Sequence, residues 1–394
     1  MRNKPWTYRE GAAVTIALLL VGALLRLVAG PVNWSLVAWP VNIIIAVVLA
    51  VAVILGSILR RRSRVLCFVC SRHAAVPALV VTAVATAVYG VTNLQETLSC
   101  WSFVLLYLWI DIIVGLTTFK FLKPTLRNLC ITSSHLGLFV ALTAATLGNA
   151  DMQRLKMQVA DVQTEWRAVD DDARVHELEL SVKLNRFTID EYPPKLVVVD
   201  NETDKTLPAD KPQGIVLEDS VTEGDILGYH VVTKRLYDCA KEVSAEDSVS
   251  YVAWENSGAA TAALVSVTSN GKMLADEAWV SNGSFMFPYK SIRLNDKHSL
   301  VMPEREPKRY ASDVTILTRD GRKEHAVIEV NKPYEIEGWK IYQLSYDVAM
   351  GRWSRSSVLE LVRDPWLPVV YMGIGLLIVG AILMFLTAGR KEDE

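Results

Sequence analysis

The chain has 394 residues, a formal net charge of −2 and a hydrophobic content of 51%. A net charge near zero gives no electrostatic reason to expect nucleic acid as a partner. Apolar residues crowd residues 11–148 and 366–388, whereas the acidic residues and most strand-like segments lie between them. A helix needs about 20 consecutive apolar residues to cross a bilayer, so the sequence divides into membrane segments and one soluble domain.

Six segments are predicted to cross the membrane as helices, because each has about the length that a bilayer requires. They are residues 11–30, 37–58, 75–92, 102–122, 128–148 and 366–388. The segment 75–92 is short and rich in Ala and Thr, so this segment and 102–122 also fit a re-entrant pair, which would leave the orientation unchanged. The first segment is too long for a typical signal sequence and has no A-x-A-like cleavage site, so we interpret it as a retained span.

The basic residues of the loops predict the orientation of the spans. They cluster before the first span, between the second and third, between the fourth and fifth, and after the last: Arg2, Lys4, Arg9, Arg60, Arg61, Arg62, Arg64, Arg72, Lys120, Lys123, Arg127, Arg390 and Lys391. The alternate loops, 31–36 and 93–101, contain no Lys or Arg. We therefore predict that residues 1–148 and 364–394 form the membrane region, with both termini in the cytoplasm. Residues 149–363 are predicted to lie outside the cytoplasm.

The segment 149–363 is predicted to form a β-rich domain. Residues 176–184 alternate between apolar and polar side chains, which is typical of a half-buried strand. Asn270-Gly271 and Asp320-Gly321 each follow a strand-like run and favour type I′ hairpin turns. Helical periodicity is confined to about residues 150–167. The predicted fold class is therefore membrane α-helical spans plus a large all-β, sandwich-like extracytoplasmic domain.

Ionisable side chains inside the spans are the first candidates for function, because placing them in lipid is costly. Arg26 lies about one turn from the end of the first span, where snorkelling to the membrane surface explains it well. Asp111, near the middle of the fourth span, either pairs with a neighbouring helix or has a functional role. His135, in the fifth span, can bond to another helix or can ligate a metal or haem iron. We also hypothesise that Asp111 orients His135 as a hydrogen-bond acceptor.

The five cysteines do not predict a metal site by their spacing. Cys67 and Cys70 form a C-x-x-C motif on the predicted cytoplasmic side, without a fourth zinc ligand nearby and without the adjacent His of a c-type haem attachment site. A chance pair is the simplest interpretation. Cys100 and Cys239 are both predicted outside, which leaves a disulfide between them open. No motif for nucleotide binding, serine hydrolysis or zinc proteolysis occurs, so no catalytic group is predicted.

Several segments of the sequence resemble the ResB (CcsB) family of System II cytochrome c biogenesis, in the form common among Bacteroidetes. The strongest are residues 330–333 (VNKP), 338–343 (GWKIYQ), 345–347 (SYD) and 357–366 (SVLELVRDPW). Supporting segments are residues 39–42 (WPVN), 135–138 (HLGL) and 187–194 (FTIDEYPP). The resemblance extends over nearly the whole chain.

The resemblance implies a haem-handling subunit of the cytochrome c synthetase, located in the bacterial inner membrane, that is not an enzyme by itself. With a CcsA (ResC) partner it would carry haem b across the membrane and deliver it to apocytochrome c, and thiol-reducing thioredoxin-like proteins would be further partners. His135 matches the intramembrane His that serves the family as one axial haem ligand, and the second ligand would come from the partner. No metal beyond the haem iron is expected.

Two features of the sequence depart from the family pattern. The Trp-rich WWD segment with its two flanking His residues, which the family's partner uses, is absent here, so the chain needs a separate partner. Classical members have three spans before the soluble domain, whereas five are predicted here.

Two other functions compete with haem handling. One is a membrane-anchored scaffold that docks apocytochrome or a partner without binding haem. The other is a small-molecule transporter with Asp111 and His135 as a proton relay.

Overall fold

The computed structural model describes residues 6–91, 100–120, 125–218, 221–245 and 248–388. Some predicted features lie outside the described residues: Arg2, Lys4, Lys123, Arg390, Lys391, the loop 93–99, and the span ends at 92 and 121–122. The chain divides into two compact units. One consists of Met1–Gln153 with Arg363–Glu394, and the other of Arg154–Val362. We call them the helical unit and the β unit.

The helical unit is built from apolar helices. They are α1 (Tyr8–Ala29), α2 (Val41–Leu59), α3 (Arg64–Val69), α4 (Arg72–Val91), α5 (Trp101–Lys120), α6 (Leu126–Gly148) and α7 (Leu367–Ala388). Among the described residues, five helices are long and apolar enough to cross a membrane, namely α1, α2, α5, α6 and α7. Helix α4 contributes a shorter apolar segment, Arg72–Val88. The protein is therefore a membrane protein.

Helices α6 and α7 pack backbone against backbone. A β-carbon added to Gly373 would lie 2.7 Å from the carbonyl oxygen of Gly137, and one added to Gly380 would be equally obstructed by α6. The Ser133 hydroxyl also donates a hydrogen bond of 2.9 Å to the carbonyl oxygen of Leu376. Small residues at a contact let two helices approach closely, which is a common basis of helix association in lipid.

The β unit consists of short and long strands. They are β1 (Gln153–Ala160), β2 (Thr164–Val169), β3 (Val175–Glu191), β4 (Lys195–Asp200), β5 (Ile215–Val216), β6 (Thr222–Ile226), β7 (Tyr229–Ala245), β8 (Ser248–Ala253), β9 (Ala260–Ser269), β10 (Lys272–Gly283), β11 (Ile292–Arg293), β12 (His298–Val301), β13 (Pro307–Thr318), β14 (Lys323–Glu329), β15 (Tyr334–Ile336), β16 (Trp339–Tyr346) and β17 (Ser356–Arg363).

The described strands form three sheets. The largest has eight strands in the order β14-β13-β3-β2-β1-β17-β16-β15. A second sheet has the order β10-β9-β7-β6 with β8 beside β7, and the third has the order β11-β12-β4-β5. One hydrophobic core lies on the eight-stranded sheet, with Leu184 and Ile316 fully buried. A separate core joins the two smaller sheets, with Leu196 and Leu300 fully buried. The predicted fold class, membrane helices plus an all-β domain, is confirmed.

The two predicted hairpins are present, but only one has the predicted turn. Asn270-Gly271 connects β9 to β10 with φ values of +50° and +75°, as a type I′ turn requires. At Asp320-Gly321 the glycine has a φ of +84°, whereas the aspartate does not adopt positive φ. The Thr318 N–H donates to the carbonyl oxygen of Arg322 at 3.0 Å, which closes a three-residue loop. The type I′ prediction for this second turn is therefore wrong, because the loop is one residue longer.

The helix predicted at residues 150–167 is also wrong. Strands β1 and β2 occupy most of this segment. In β1 the buried residues alternate strictly at Leu155, Met157 and Val159. Leu155 and Val159 are also four residues apart, so a short segment of this kind fits both a helix and a strand. Pairing of β1 and β2 within the eight-stranded sheet decides in favour of strands.

Candidate functional site

The structure places His135 on α6, the helix that precedes the β unit in the chain. The ring is half-buried, and its Nδ1 lies 2.8 Å from the carbonyl oxygen of Ile131, one turn earlier. A carbonyl oxygen can only accept, so Nδ1 carries the proton and Nε2 of the neutral ring carries the lone pair. A histidine that donates from Nδ1 to a backbone carbonyl can offer Nε2 to a metal.

Asp111 on α5 is 5% exposed and contacts α6 at a different height from His135. The Thr143 hydroxyl donates to Asp111 Oδ2 at 2.7 Å, while Asp111 Oδ1 has no hydrogen-bond partner among the described residues. Thr143 follows His135 by eight residues, which is a rise of about 12 Å along the helix. The hypothesis that Asp111 is the acceptor for His135 is therefore wrong. The carbonyl oxygen of Ile131 takes that position, because estimated depth does not determine which side chains face each other.

Arg26 lies in the last turn of α1 and is half-buried. Its carbonyl oxygen accepts a hydrogen bond of 3.1 Å from the N–H of Gly30, where the helix ends. A position at the end of an apolar helix lets a long cationic side chain extend toward the membrane surface. Snorkelling stays the prediction for this residue.

A polar cluster that the sequence does not predict lies where α6 ends and where α2 and α7 begin. Asp151 Oδ1 accepts a hydrogen bond of 2.7 Å from the backbone N–H of Trp39. Asp151 Oδ2 accepts hydrogen bonds of 2.7 Å from Asn42 Nδ2 and of 2.7 Å from Trp366 Nε1. Asn42 is fully buried and also donates to the carbonyl oxygen of Leu147 at 3.3 Å. We call Asp151, Trp39, Asn42 and Trp366 the aspartate cluster.

The aspartate cluster favours the ionised form of its carboxyl group. Partial burial raises the pKa of Asp151, but the hydrogen bonds from Asn42, Trp39 and Trp366 outweigh it, so the pKa lies below its ordinary value. The only signals in the sequence were the family-like segments 39–42 and 364–366 and an acidic residue just after the fifth span. Nothing in their spacing indicates that they meet.

The β unit contains a second group of polar residues, a charge cluster of Glu191, Asp238, Arg305 and Arg352. Arg305 Nε and Arg352 Nη1 each lie 3.4 Å from Glu191 Oε2, and Arg305 also pairs with Asp238. Burial raises the pKa of Glu191, although the two arginines oppose the shift. A cleft of about 470 Å³ with aromatic walls lies over these charges. The charges are paired with each other, so they provide no activated nucleophile or base.

Among the described residues, the cysteines and acidic groups form no metal site. All five cysteines belong to the described part of the chain, and none of them forms a disulfide. Cys67 is exposed and Cys70 is buried. Across the described ranges, no three His, Cys, Asp or Glu side chains are grouped to hold a metal ion.

Fold and site together define a class of protein, a membrane protein with a helical unit, a large all-β domain and a histidine within one apolar helix. Residues 252–354, which lie in the β unit, match the model of the ResB-like family. This match confirms the resemblance of the chain to the ResB (CcsB) family and fits a role in cytochrome c biogenesis. ResB-like proteins are accessory components of that process. No curated protein matches the chain.

Proposed function

We propose that this protein is the haem-handling subunit of a System II cytochrome c synthetase. It carries haem b across the bacterial inner membrane and delivers it to apocytochrome c, together with a CcsA (ResC)-type partner that contributes the second iron ligand. The observation that carries the proposal is the orientation of His135, whose Nδ1–H is bonded to the carbonyl oxygen of Ile131. The match to the ResB-like family supports the pathway.

The chemistry of His135 suits haem as a cargo in the membrane. A neutral imidazole can ligate iron without adding a charge in lipid, where charges are costly. The Nδ1 hydrogen bond holds the ring in one orientation and makes Nε2 a better donor to a metal. Haem itself is an apolar disc with charged propionates, so it can be sheltered between apolar helices. The basic loop that contains Arg60 and Arg64 supports the proposal that the β unit lies outside the cytoplasm.

The proposal is tested by co-purifying the full-length protein with a Trp-rich multi-span partner and recording the haem Soret spectrum. We expect His135→Ala to lose most of the haem and His135→Gly to regain it when imidazole is added. His73→Ala is the matched control, because His73 also belongs to the helical unit and packs against the ring of Tyr8. Unchanged haem content and spectrum in His135→Ala would show that His135 is not a ligand.

A scaffold that docks apocytochrome is the second candidate function, and one observation favours it. The cleft of the β unit is lined by aromatic side chains, including Phe285, Phe287 and Trp353. Phe285 is 47% exposed, and exposed aromatic groups over a cleft are typical of protein-binding surfaces. If His135→Ala keeps its haem while substitutions in the cleft abolish cytochrome c maturation, the scaffold function is favoured.

A further inference from the structure

The aspartate cluster joins two segments of the chain that the proposed function leaves unexplained. Residues 39–42 supply Trp39 and Asn42, and residues 364–366 supply Trp366. All three donors to Asp151 are neutral groups, at 2.7 Å each. Because α2 begins at Val41 and α7 at Leu367, the carboxylate also lies near two helix N-termini, where a negative charge is stabilised. The cluster therefore ties the beginnings of two helices to the end of α6.

Contacts on several sides of α6 restrict its rotation. Gly137 is in backbone contact with α7, and Thr143 bonds to α5 through Asp111. At the end of the helix, a β-carbon on Gly148 would lie 2.5 Å from the β-carbon of Trp366. The indole N–H of the same Trp366 donates to Asp151. Trp366 thus touches α6 by its packing and by its hydrogen bond, and Asp151 holds it in that position.

Iron ligation by a helical residue is sensitive to such a rotation. The backbone of an α-helix has a radius of about 2.3 Å, so the Nε2 atom of a histidine lies roughly 6–7 Å from the helix axis. Turning the helix by about 15° would move that atom by roughly 1.7 Å. A functional site tolerates displacements of only about 0.5 Å. A small loss of constraint at the end of α6 would therefore be enough to misplace His135.

We propose that Asp151 is a positioning residue: by joining α2, α6 and α7 it sets the rotation and depth of α6, and so the position at which His135 meets the haem iron. The inference rests on the proposed function of His135. Asp151 acts through three hydrogen bonds and through the packing of Trp366, and it does not touch the haem itself.

The experiment compares full-length variants with the partner present, measuring haem per protein, the Soret maximum and the electron paramagnetic resonance of the ferric haem. In Asp151→Asn the amide NH₂ must face at least one of the present N–H donors, so one bond is lost if NH₂ replaces Oδ1 and two are lost if it replaces Oδ2. We expect about tenfold weaker haem retention and a shift from low-spin toward high-spin iron. Trp366→Phe keeps the ring on Gly148 and removes only the donor, so we expect the same change in smaller degree.

Trp101→Phe provides a matched control, because it also removes an indole donor in the helical unit, here to the carbonyl oxygen of Gly30. We expect its haem content and spectrum to equal those of the unaltered protein. A purely structural role for Asp151 would lower the yield of protein without changing the spectrum of what is recovered. In Asp151→Glu, which keeps a carboxylate, we expect a spectrum closer to that of the unaltered protein than Asp151→Asn gives.

The outcomes separate this inference from the proposed function. If His135→Ala loses haem while Asp151→Asn and Trp366→Phe keep the normal content and spectrum, the positioning role is refuted and His135 remains a ligand. If His135→Ala itself keeps its haem, the proposed function fails and the positioning role fails with it. If Asp151→Asn cannot be recovered from the membrane, Trp366→Phe alone decides by the same criterion.

Discussion

The close contact of α6 with α7 predicts a large difference between two glycines that are one half-turn apart. In Gly373→Ala the new methyl group would lie 2.7 Å from the backbone nitrogen of Ala141 and 2.7 Å from the carbonyl oxygen of Gly137. These distances are shorter than ordinary contacts, so the helices must separate. In Gly375→Ala nothing lies within 4 Å of the methyl group. Both variants share the gain of about 0.5–1 kcal/mol from replacing a helical glycine.

The difference between the two variants therefore isolates the cost of overpacking. An inserted methyl group in a well-packed contact costs about 1–3 kcal/mol. For a unit of roughly 150–250 residues, each kcal/mol shifts the unfolding midpoint by about 2–4 °C. We expect Gly373→Ala to unfold about 2–12 °C below Gly375→Ala, and Gly375→Ala to unfold at or above the temperature of the unaltered protein.

Cys130 is a suitable probe of this contact. It is 2% exposed, and its sulfur lies 3.7 Å from the hydroxyl of Thr387 on α7. With the other four cysteines replaced by serine, a thiol-reactive fluorophore added during heating reports when α6 and α7 separate. Equal labelling temperatures for Gly373→Ala and Gly375→Ala would refute the inference that the two backbones are in contact at Gly373.

Three further predictions concern the β unit, each measured on the full-length protein. Asn270→Val places a β-branched residue at a φ of +50° and is expected to cost about 1–2 kcal/mol of unfolding free energy; an unchanged denaturation midpoint would contradict the type I′ turn. Gln343→Leu removes the acceptor of two buried serine hydroxyls and is expected to cost about 1–3 kcal/mol, which chemical denaturation would detect. Hydrogen bonds from Arg309 and Lys332 lower the pKa of Glu329 from 4.5 to about 2. The ionised Glu329 carboxylate therefore contributes fully to the stability of the folded protein above pH 4.5, and this contribution is lost as the pH falls through about 2. Unfolding measured across that range should depend less on pH in Glu329→Gln, and an equal dependence would show that this ion pair is not formed.

The secondary structure predicted from the local sequence pattern agrees with the observed structure in segments whose environment is uniform along their length. The long apolar runs became α1, α2, α5, α6 and α7, because a stretch of about 20 apolar residues has one low-energy state in lipid. The alternation at 176–184 became part of β3 for a similar reason, since every second residue faces the same core. The helix prediction for residues 150–167 fails because their few apolar positions fit two periodicities, and only strand pairing distinguishes a strand from a helix there.

His135 shows how far a single position can be interpreted. Its residue type, its depth in a span and the Leu-Gly-Leu that follows it were sufficient to make it a candidate ligand. Its hydrogen-bond partner was not predictable, because the distance along α6 indicates height but not which side chains face each other. In the structure the acceptor for His135 is the carbonyl oxygen of Ile131 and not Asp111.

The sequence by itself indicated the five long apolar helices, the β character of the large domain, the candidate histidine and the resemblance to the ResB family. These properties depend on short-range pattern and on side-chain chemistry, which each segment carries independently of the others. Only the tertiary structure brought Trp39, Asn42 and Trp366 to Asp151, across separations of 112, 109 and 215 residues. Such a meeting depends on how α2, α6 and α7 associate, and for α6 and α7 that association is made by close packing of small residues rather than by any local signal.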